Sequence, residues 1–360
     1  MYEYSHGGNV AFESGREASI DLSANMNPLG MPIGVPQAIM QAIPQSEYYP
    51  DSASTLLRAK IAEFEQVDPA HILCGNGASD LIFRLPRATN AQKVMVCAPS
   101  FSDYQRAAIA GGAQIIHYPL MPQQGLTLDD GIIAAVLAHK PQLVFICNPN
   151  NPTGLLTPPA LIQRLLQACQ SINATLAVDE CFLDFTTQRQ AYTSKQFLPT
   201  HQNLVIIKAF TKIFALPGIR LGYVLTANRA LINSLNFHGT DWAVSNLAQA
   251  AGIAALHGAH AYIEQSVDYV TKARTRLAHK LNTLGYTVFP SQANYLFLQN
   301  PYPINLRTAL DTQSIRIRAC ANYPGLNNTY YRIAVPKAID EKTVFTALDH
   351  VSKSQDHSLA

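Results

Sequence analysis

The residues with the clearest chemical potential are a lysine and an arginine that follow an apolar run. The run at 204–209 leads into Lys208-Ala-Phe-Thr-Lys-Ile-Phe-Ala-Leu-Pro-Gly-Ile-Arg-Leu-Gly-Tyr223, where Lys212 and Arg220 flank a Pro-Gly turn. A lysine that forms a Schiff base must be sheltered enough to lose its proton and accessible at the end of a strand. A nearby arginine can bind a phosphate with two parallel hydrogen bonds. On these residues alone, two surface cations in a loop are an equally good interpretation.

Further polar segments follow other strand-like runs. Asn148-Pro-Asn-Asn-Pro-Thr-Gly154 comes after the run 143–147, and by itself such a cluster predicts only a turn. Asp179 and Glu180 end a buried run, where a carboxylate is costly unless it is paired. Gly75-Asn-Gly-Ala-Ser-Asp80 opens a helical pattern, where backbone N–H groups can bind a phosphate.

These segments need a framework that brings several strand ends together. Apolar, β-branched runs occur at 94–98, 114–118, 143–147, 175–179, 204–209 and 221–225. Segments with helical spacing lie between several of them, at 101–110, 128–139 and 160–172. This alternation predicts an α/β fold with a mostly parallel sheet covered on both faces. Ligands of such sheets bind at the carboxyl ends of the strands.

The flanking regions predict a smaller second domain. Residues 1–45 are rich in Gly, Pro and Asn and predict an extended arm that also contributes to the small domain. We expect a large domain over 46–245 and a C-terminal small α+β domain over 246–360. The latter begins with long helical segments at 246–257 and 262–284. Strand-like pieces follow at 295–298, 315–319 and 330–335.

Composition predicts an ordinary water-soluble enzyme of 360 residues. Hydrophobic residues make up 48% and charged residues 14%, which excludes a disordered chain. A net charge of +2 without a long basic run argues against nucleic-acid binding. The start lacks the layout of a signal peptide, and no apolar stretch is long enough to cross a bilayer, so we expect a cytoplasmic protein. The six cysteines show no CxxC pair and predict buried thiols rather than a metal site.

The segment from Thr211 to Tyr223 matches the pattern Thr-Lys-x-Phe-x-x-Pro-Gly-x-Arg-x-Gly-Tyr. It resembles the cofactor-lysine motif of fold-type I enzymes that use pyridoxal 5′-phosphate (PLP), the aspartate aminotransferase superfamily. The resemblance implies a large domain with a mostly parallel seven-stranded sheet. It also implies that Lys212 holds PLP as a Schiff base and that Thr211 and Arg220 contact the cofactor phosphate. Lys208 is the competing lysine, but it lies four residues too early in the motif.

Other motifs of the superfamily occur in the expected order. Their resemblance implies that Asn151 contacts the phenolic oxygen of PLP and that Asp179, in preference to Glu180, pairs with the pyridine nitrogen. It also implies that Ala78 and Ser79 bind the cofactor phosphate and that Phe101 stacks on the cofactor ring. Tyr49 would contact the phosphate of the cofactor in a neighbouring subunit. A plain core residue is the alternative for Phe101. The role of Tyr49 implies a homodimer with shared active sites.

Two residues depart from the superfamily pattern. Ala209 occupies the position, three before the lysine, where members often carry serine, so one hydroxyl contact to the phosphate is missing or replaced. Phe182 occupies the position, three after Asp179, where aminotransferases usually carry tyrosine. The second difference argues against a simple aminotransferase.

Arginines near the C-terminus indicate an anionic substrate. Arg332, in Tyr-Tyr-Arg-Ile-Ala-Val, matches the family arginine that binds the substrate α-carboxylate. Arg318 matches the arginine that phosphate-specific members use for a second anion. Arg316 would share the strand face of Arg318 if the strand is regular, so geometry leaves both open. A single strand arginine would otherwise be interpreted as a surface salt bridge of little energetic value.

Two terminal segments narrow the resemblance to one family. His6-Gly-Gly-Asn9 with Asp21-Leu-Ser-Ala-Asn-Met-Asn-Pro-Leu-Gly30, and Arg318-Ala-Cys-Ala-Asn-Tyr-Pro-Gly-Leu-Asn327, resemble the threonine-phosphate decarboxylases of cobalamin biosynthesis. In that family the N-terminal arm folds over the active site. The resemblance implies that His6 binds the substrate phosphate and that Asn25 lies near the substrate carboxylate. Without it, a terminal His-Gly-Gly would be interpreted as a frayed end.

The implied activity is PLP-dependent decarboxylation of L-threonine O-3-phosphate to (R)-1-amino-2-propanol O-2-phosphate. A histidinol-phosphate-type aminotransferase is the alternative, since such enzymes share the core motifs but match the terminal segments less well. A catalytically silent PLP-fold regulator is a more remote one, because the Lys, Asp and Arg set is intact and no room precedes Gly75 for a DNA-binding domain. Residue types cannot separate threonine phosphate from serine phosphate, because one methyl group is worth only about 1–3 kcal/mol in a pocket.

Overall fold

The computed structural model describes residues 7, 8 and 20–356, with side chains to residue 352. The strands are β1 (Ile20–Asp21), β2 (Ile72–Gly75), β3 (Lys93–Ala98), β4 (Gln114–Pro119), β5 (Leu143–Cys147), β6 (Thr175–Asp179), β7 (Leu204–Ala209), β8 (Gly222–Leu225), β9 (Thr287–Val288), β10 (Tyr295–Gln299), β11 (Ile315–Arg316), β12 (Arg318–Ala319) and β13 (Tyr330–Ala334).

Helices alternate with the central strands. They are α1 (Gly34–Ala42), α2 (Thr55–Glu65), α3 (Ala78–Ala88), α4 (Ser102–Ala110), α5 (Gly131–His139), α6 (Pro159–Ser171), α7 (Arg189–Tyr192), α8 (Phe210–Ile213), α9 (Arg229–Phe237), α10 (Asn246–Leu256), α11 (Ala259–Thr283), α12 (Leu306–Asp311) and α13 (Glu341–Asp356). Among the described residues, no helix combines the length and apolar character needed to cross a membrane.

A seven-stranded sheet forms the centre of the molecule, in the order β2-β8-β7-β6-β5-β3-β4. All neighbours from β7 to β4 are parallel, whereas β8 runs antiparallel to both β7 and β2. Strands β5 and β7 are buried along their whole length, as expected for a sheet with helices on both faces. The prediction of an α/β fold with a mostly parallel sheet is confirmed.

A smaller unit follows the long helix α11. Its antiparallel sheet has the order β12-β13-β10-β9, and a separate two-stranded sheet pairs β1 with β11. Because β1 pairs with β11, the N-terminal residues from 20 onward join the C-terminal part of the fold. The predicted strand at 315–319 is divided at Ile317, so that its two halves pair with different partners. The domain boundaries at 45 and 245 stay predictions.

The first 45 residues are less extended than the sequence suggests. Residues Gly34–Ala42 form helix α1, which packs against α10. The apolar spacing of Val35, Ile39 and Ala42 fits one helical face. The neighbouring Gly and Pro residues masked this pattern in the sequence, so the expectation of an extended arm was wrong for this segment.

Candidate active site

A cavity of about 470 Å³ opens where β3, β5, β6 and β7 end, with residues of the N-terminal segment on its other side. Most of the residues predicted for the site line it: Asn25, Ala78, Ser79, Phe101, Asn151, Asp179, Thr211, Lys212, Arg220 and Arg332. The structure thus brings most of the predicted residues together around one cavity, and their individual roles stay predictions.

Lys212 lies in the short helix α8, immediately beyond the end of β7. Burial lowers the pKa of its amine to about 8, and the positive charges of Arg332 and Arg220 act in the same direction. Its Nζ lies 5.7 Å from the centre of the Phe182 ring. A lysine with this pKa has a substantial neutral fraction near physiological pH, as a nucleophilic amine requires.

The competing Lys208 has a different environment. It is buried, and its Nζ lies 2.9 Å from Asp184 and 3.6 Å from Glu65. Burial alone would lower the pKa of Lys208, but the carboxylates of Asp184, Glu65 and Glu180 together raise it. Lys208 is thus a permanently charged member of a buried ion cluster and is not among the residues that line the cavity.

Asp179 ends β6 and is held by two hydrogen-bond donors. The hydroxyl of Tyr104 donates to its Oδ2 at 2.7 Å, and the backbone N–H of Cys181 donates to its Oδ1 at 2.9 Å. Burial raises the pKa of the Asp179 carboxyl, while the hydrogen bonds from Cys181 and Tyr104 and the charge of Lys212 oppose that rise. Both donors stabilise the ionised carboxylate, which is the form needed to keep a pyridine nitrogen protonated.

Sequence reasoning missed Tyr104. Its ring is buried, stacks on Phe145 and meets the Phe101 ring edge-on. Burial raises the pKa of the Tyr104 hydroxyl well above its usual value, so it remains a neutral donor. The available signal was its place three residues after Phe101 in the segment 101–110, whose helical spacing predicts that both side chains face the same site.

Backbone geometry forms a small cradle between β2 and α3. Gly77 has a φ of +83°, and a Cβ there would lie 2.8 Å from Nη2 of Arg220. A Cβ on Gly222 would overlap the backbone nitrogen of Ala78. Only glycines leave this space open, and the first N–H groups of the 11-residue helix α3 border it together with Arg220. Free N–H groups beside a guanidinium make a site for a phosphate group.

Arg332 is buried beside Asn151. Its Nη1 donates to Oδ1 of Asn151 at 2.5 Å, and its Nη2 donates to the carbonyl of Ser23 at 2.6 Å. Within the described part of the chain, Nε of Arg332 and Oδ1 of Asn25 are buried without a hydrogen-bond partner. Buried polar atoms of this kind are costly, and a bound polar ligand would relieve the cost.

Arg318 and Arg316, the two candidates for the substrate's second anion, are not among the residues that line the cavity. Arg318 is directly opposite Arg332 in the sheet, donates to Asn322 at 2.8 Å and lies over the Tyr323 ring. Arg316 belongs to the separate β1–β11 pair, with its Nε 3.4 Å from Asp311. Since opposite residues of antiparallel strands share a face, Arg318 is the better placed of the two for a ligand that also contacts Arg332.

The predicted contacts of the subunit interface and of the N-terminal arm concern Tyr49 and His6. Tyr49 is 77% exposed, stacks on Trp242 with ring centres 4.3 Å apart, and does not line its own chain's cavity. His6 lies outside the described residues, but the adjacent Gly7 and Gly8 line the cavity. The roles assigned to Tyr49 and His6 stay predictions.

Comparison with known proteins agrees with this geometry. The profile of the aminotransferase class I and II family matches residues 17–351. The chain belongs to the aminotransferase class I and II family. Its seven-stranded sheet and smaller antiparallel sheet are those of fold-type I PLP enzymes, and its cofactor is pyridoxal 5′-phosphate.

Individual relatives differ in activity. A threonine-phosphate decarboxylase of Salmonella typhimurium is 34% identical, with 98% of this chain and 97% of that protein covered. The adenosylcobalamin biosynthesis bifunctional protein CobDQ of Leptospira interrogans is 29% identical over 96% of this chain, which spans 41% of that protein. A solved histidinol-phosphate aminotransferase of Clostridium acetobutylicum superposes with a TM-score of 0.86 at 28% identity, covering 93% of this chain and 99% of that one.

The described residues fit PLP. Lys212 supplies an amine with a lowered pKa, and Asp179 supplies a fixed buried carboxylate. The cradle at Gly77 and Gly222 leaves room that side chains would fill. Because the Asn151 oxygen already accepts from Arg332, its Nδ2 is the group left to bind the cofactor's phenolic oxygen.

Replacing Tyr104 with phenylalanine should weaken PLP binding about 10-fold or more. The substitution keeps the stacked ring but removes one donor from the buried Asp179 carboxylate, and a hydrogen bond to a charged group is worth about 1.5–3 kcal/mol. Fluorescence titration of the apo-protein with PLP measures the change. Tyr302→Phe, which removes a hydroxyl in the small domain, is the control. Equal affinities of both variants would show that Tyr104 does not position Asp179.

The rate of PLP uptake by the apo-protein should rise with pH and reach half its maximum near pH 8. Because the pKa of Lys212 is lowered from 10.5 to about 8, the nucleophilic neutral amine predominates above pH 8 and is lost below it. Stopped-flow absorbance after mixing with PLP between pH 6 and 10.5 measures this rate. A midpoint near 10.5 would contradict the proposed environment of the amine.

Proposed function

We propose that the chain is a PLP-dependent carboxy-lyase that converts L-threonine O-3-phosphate to (R)-1-amino-2-propanol O-2-phosphate and CO2. The product would serve as the linker of the nucleotide loop in cobalamin biosynthesis. The observation that carries the proposal is the pair Arg318 and Arg332, buried directly opposite each other, which suits a small substrate with two anions. The full-length similarity to a threonine-phosphate decarboxylase supports it.

The residues that hold the two anions decide the reaction. When bound, PLP supplies an electron sink for negative charge at Cα of the substrate. Arg332 and the residues that bind the substrate phosphate would orient the substrate, and this orientation would decide whether the carboxylate or the hydrogen leaves Cα. Asn25, buried on the wall of the same cavity, contributes an unpaired polar atom for the substrate carboxylate. Lys212, with its pKa of about 8, can deliver a proton from Nζ to Cα after CO2 has left.

Phe182 also favours decarboxylation. Its ring faces Nζ of Lys212 and packs edge-on against Tyr295. A tyrosine would place a hydroxyl at this position, as aminotransferases usually do. With phenylalanine at position 182, this hydroxyl is missing from the surroundings of the cofactor and Lys212.

A histidinol-phosphate-type aminotransferase is the second candidate. The structural similarity to the Clostridium acetobutylicum enzyme supports it, since the framework and the cofactor site would be shared. Such an enzyme would need 2-oxoglutarate as amino acceptor. A catalytically silent regulator is the remote alternative, and the lowered pKa of Lys212 beside a fixed Asp179 argues against it.

We also propose a cytoplasmic homodimer in which Tyr49 reaches the partner's cofactor phosphate. Tyr49 and Tyr48 are 77% and 72% exposed, and Phe237 is 83% exposed. Exposed aromatic side chains are enriched at surfaces that bind another protein chain. Light scattering should give about twice the chain mass of 39.3 kDa. A fully active monomer would contradict the role of Tyr49.

The decisive assay is CO2 release without any oxo acid. Purified protein with PLP should release one CO2 for each L-threonine O-3-phosphate consumed, as measured by a coupled carboxylase assay. L-serine O-phosphate in a parallel reaction tests the specificity for the methyl group. Consumption of glutamate with an imidazole keto phosphate, without CO2 from threonine phosphate, would overturn the proposal in favour of the aminotransferase.

A further inference from the structure

Ser23 links Gly7 and Gly8 to Arg332 through hydrogen bonds and close contacts. It is buried, and its hydroxyl donates to Oδ1 of Asp21 at 2.6 Å while accepting the N–H of Gly8 at 3.0 Å. Its own backbone N–H also donates to Asp21, at 2.8 Å. Its carbonyl accepts from Nη2 of Arg332. Every polar group of Ser23 thus forms a hydrogen bond. The resulting network extends from Gly8 to Arg332.

Gly7 fits this position only because it lacks a side chain. A Cβ built on Gly7 would overlap the carbonyl oxygen of Ser23 and come within 3.1 Å of its Oγ. That carbonyl is the same one that binds Arg332. Glycine is typical of positions where two backbone segments approach closely. Here the backbone of Gly7 approaches the Ser23 carbonyl, which orients Arg332. Gly7 and Gly8 also line the cavity, so they border the ligand as well as Ser23.

Arg332 links Ser23 to Asn151, the residue predicted to contact the cofactor. Its guanidinium is a rigid plane, with Nη2 bound to Ser23 and Nη1 bound to Asn151. A shift of the Ser23 carbonyl would therefore rotate the whole guanidinium and move the Asn151 amide. Since Arg332 is assigned to the substrate carboxylate, such a movement would change how the carboxylate is oriented.

We propose that Ser23 is a positioning residue that couples docking of Gly7 and Gly8 to the orientation of Arg332. The inference rests on the proposed function, since it assigns Arg332 to the substrate carboxylate. With the glycines docked, the Ser23 carbonyl is fixed and Arg332 presents one orientation. With the glycines released, Ser23 loses the Gly8 bond and Arg332 gains freedom. The segment thus orients the substrate indirectly, through a residue of the cavity wall.

Two substitutions test the coupling from opposite ends. Ser23→Ala removes the acceptor of the Gly8 N–H but keeps the carbonyl, whereas Gly7→Ala leaves Ser23 intact and blocks docking. Each should raise hydrogen exchange of the segment around residues 7 and 8 in the holoenzyme about 5-fold or more, since one hydrogen bond is worth about 1 kcal/mol. Each should also lower kcat/KM for L-threonine O-3-phosphate about 10-fold. A larger share of turnovers should convert the cofactor to its pyridoxamine form, because the carboxylate is less well oriented.

Matched controls separate coupling from general damage. Gly34→Ala adds the same methyl group where no atom lies within 4 Å, and it should change none of the three measurements. Ser23→Thr keeps the hydroxyl and should restore most of the protection from exchange. If Ser23→Ala does not fold, Gly7→Ala alone still decides the question.

The outcomes distinguish this inference from the proposed function. If Gly7→Ala and Ser23→Ala behave like Gly34→Ala in an enzyme that releases CO2 from threonine phosphate, the coupling is wrong and the function stands. If the wild-type protein releases no CO2, the function fails, and increased exchange at Gly8 in Ser23→Ala still establishes the link to the N-terminal segment. Faster exchange without any change in kcat/KM or in the pyridoxamine share would overturn the coupling to Arg332.

Discussion

Replacing Lys212 with alanine should lower turnover of L-threonine O-3-phosphate by at least about 10³-fold, since proton transfer by one positioned side chain contributes about 10²–10⁴-fold and covalent attachment of the cofactor is lost as well. The fold should persist, because Lys212 is at the cavity and outside the buried ion cluster. Steady-state CO2 release measures activity, and circular dichroism checks the fold.

Lys208→Ala is the matched control for this experiment. It removes a lysine four residues away, so borohydride reduction should still attach PLP covalently to the chain, whereas Lys212→Ala should lose this attachment. The expected damage is to stability: breaking a buried ion pair by removing one partner costs about 3–5 kcal/mol, and Lys208 pairs with both Asp184 and Glu65. Covalent attachment of PLP to Lys212→Ala but not to Lys208→Ala would reverse the assignment.

Replacing Arg332 with lysine should lower kcat/KM by about 30- to 5,000-fold. An ammonium group keeps the positive charge but cannot contact Asn151, the Ser23 carbonyl and a carboxylate in one plane, so the substrate carboxylate loses its planar pair of hydrogen bonds. Truncating one side of a buried hydrogen-bonded charge pair costs about 2–5 kcal/mol, which is the range given. Steady-state kinetics with threonine phosphate measures the loss, and PLP affinity should change far less.

Arg316→Lys makes the same substitution on a neighbouring buried arginine. Arg316 lies in the other sheet and contacts Asp311, so its replacement should change kcat/KM by less than about 3-fold. Arg318→Lys should lower kcat/KM by an amount between those of Arg316→Lys and Arg332→Lys, since Arg318 is opposite Arg332. An effect at Arg316 as large as that at Arg332 would refute the assignment of the carboxylate to Arg332.

The sequence predicted the framework well because the evidence for it is local. The strands Leu143–Cys147, Thr175–Asp179 and Leu204–Ala209 are continuous apolar runs bounded by polar residues, and each begins and ends where the pattern does. The carboxyl ends of such strands must converge at one edge of the sheet. The sequence alone therefore predicts that Lys212 and Asp179 lie at the same edge of the sheet.

The residues that were missed act through contacts between distant parts of the chain. Tyr104 meets Asp179 across 75 positions, and Ser23 meets Arg332 across 309. No periodicity within a window of the sequence encodes such pairs. The choice between Arg316 and Arg318 stayed open on the sequence for a related reason, since the interruption at Ile317, which places the two arginines in different sheets, has no local signal.

The most direct test of the account follows one atom of the substrate. L-threonine O-3-phosphate carrying deuterium at Cα should release its carboxylate as CO2, while the deuterium stays on carbon 1 of the aminopropanol phosphate, as seen by NMR and mass spectrometry. We expect this result because the role proposed for Arg332 is to hold the carboxylate in the position where the bond to Cα breaks. Loss of the deuterium to solvent with the carboxylate retained would contradict the account, because the same lysine would then be serving a transamination.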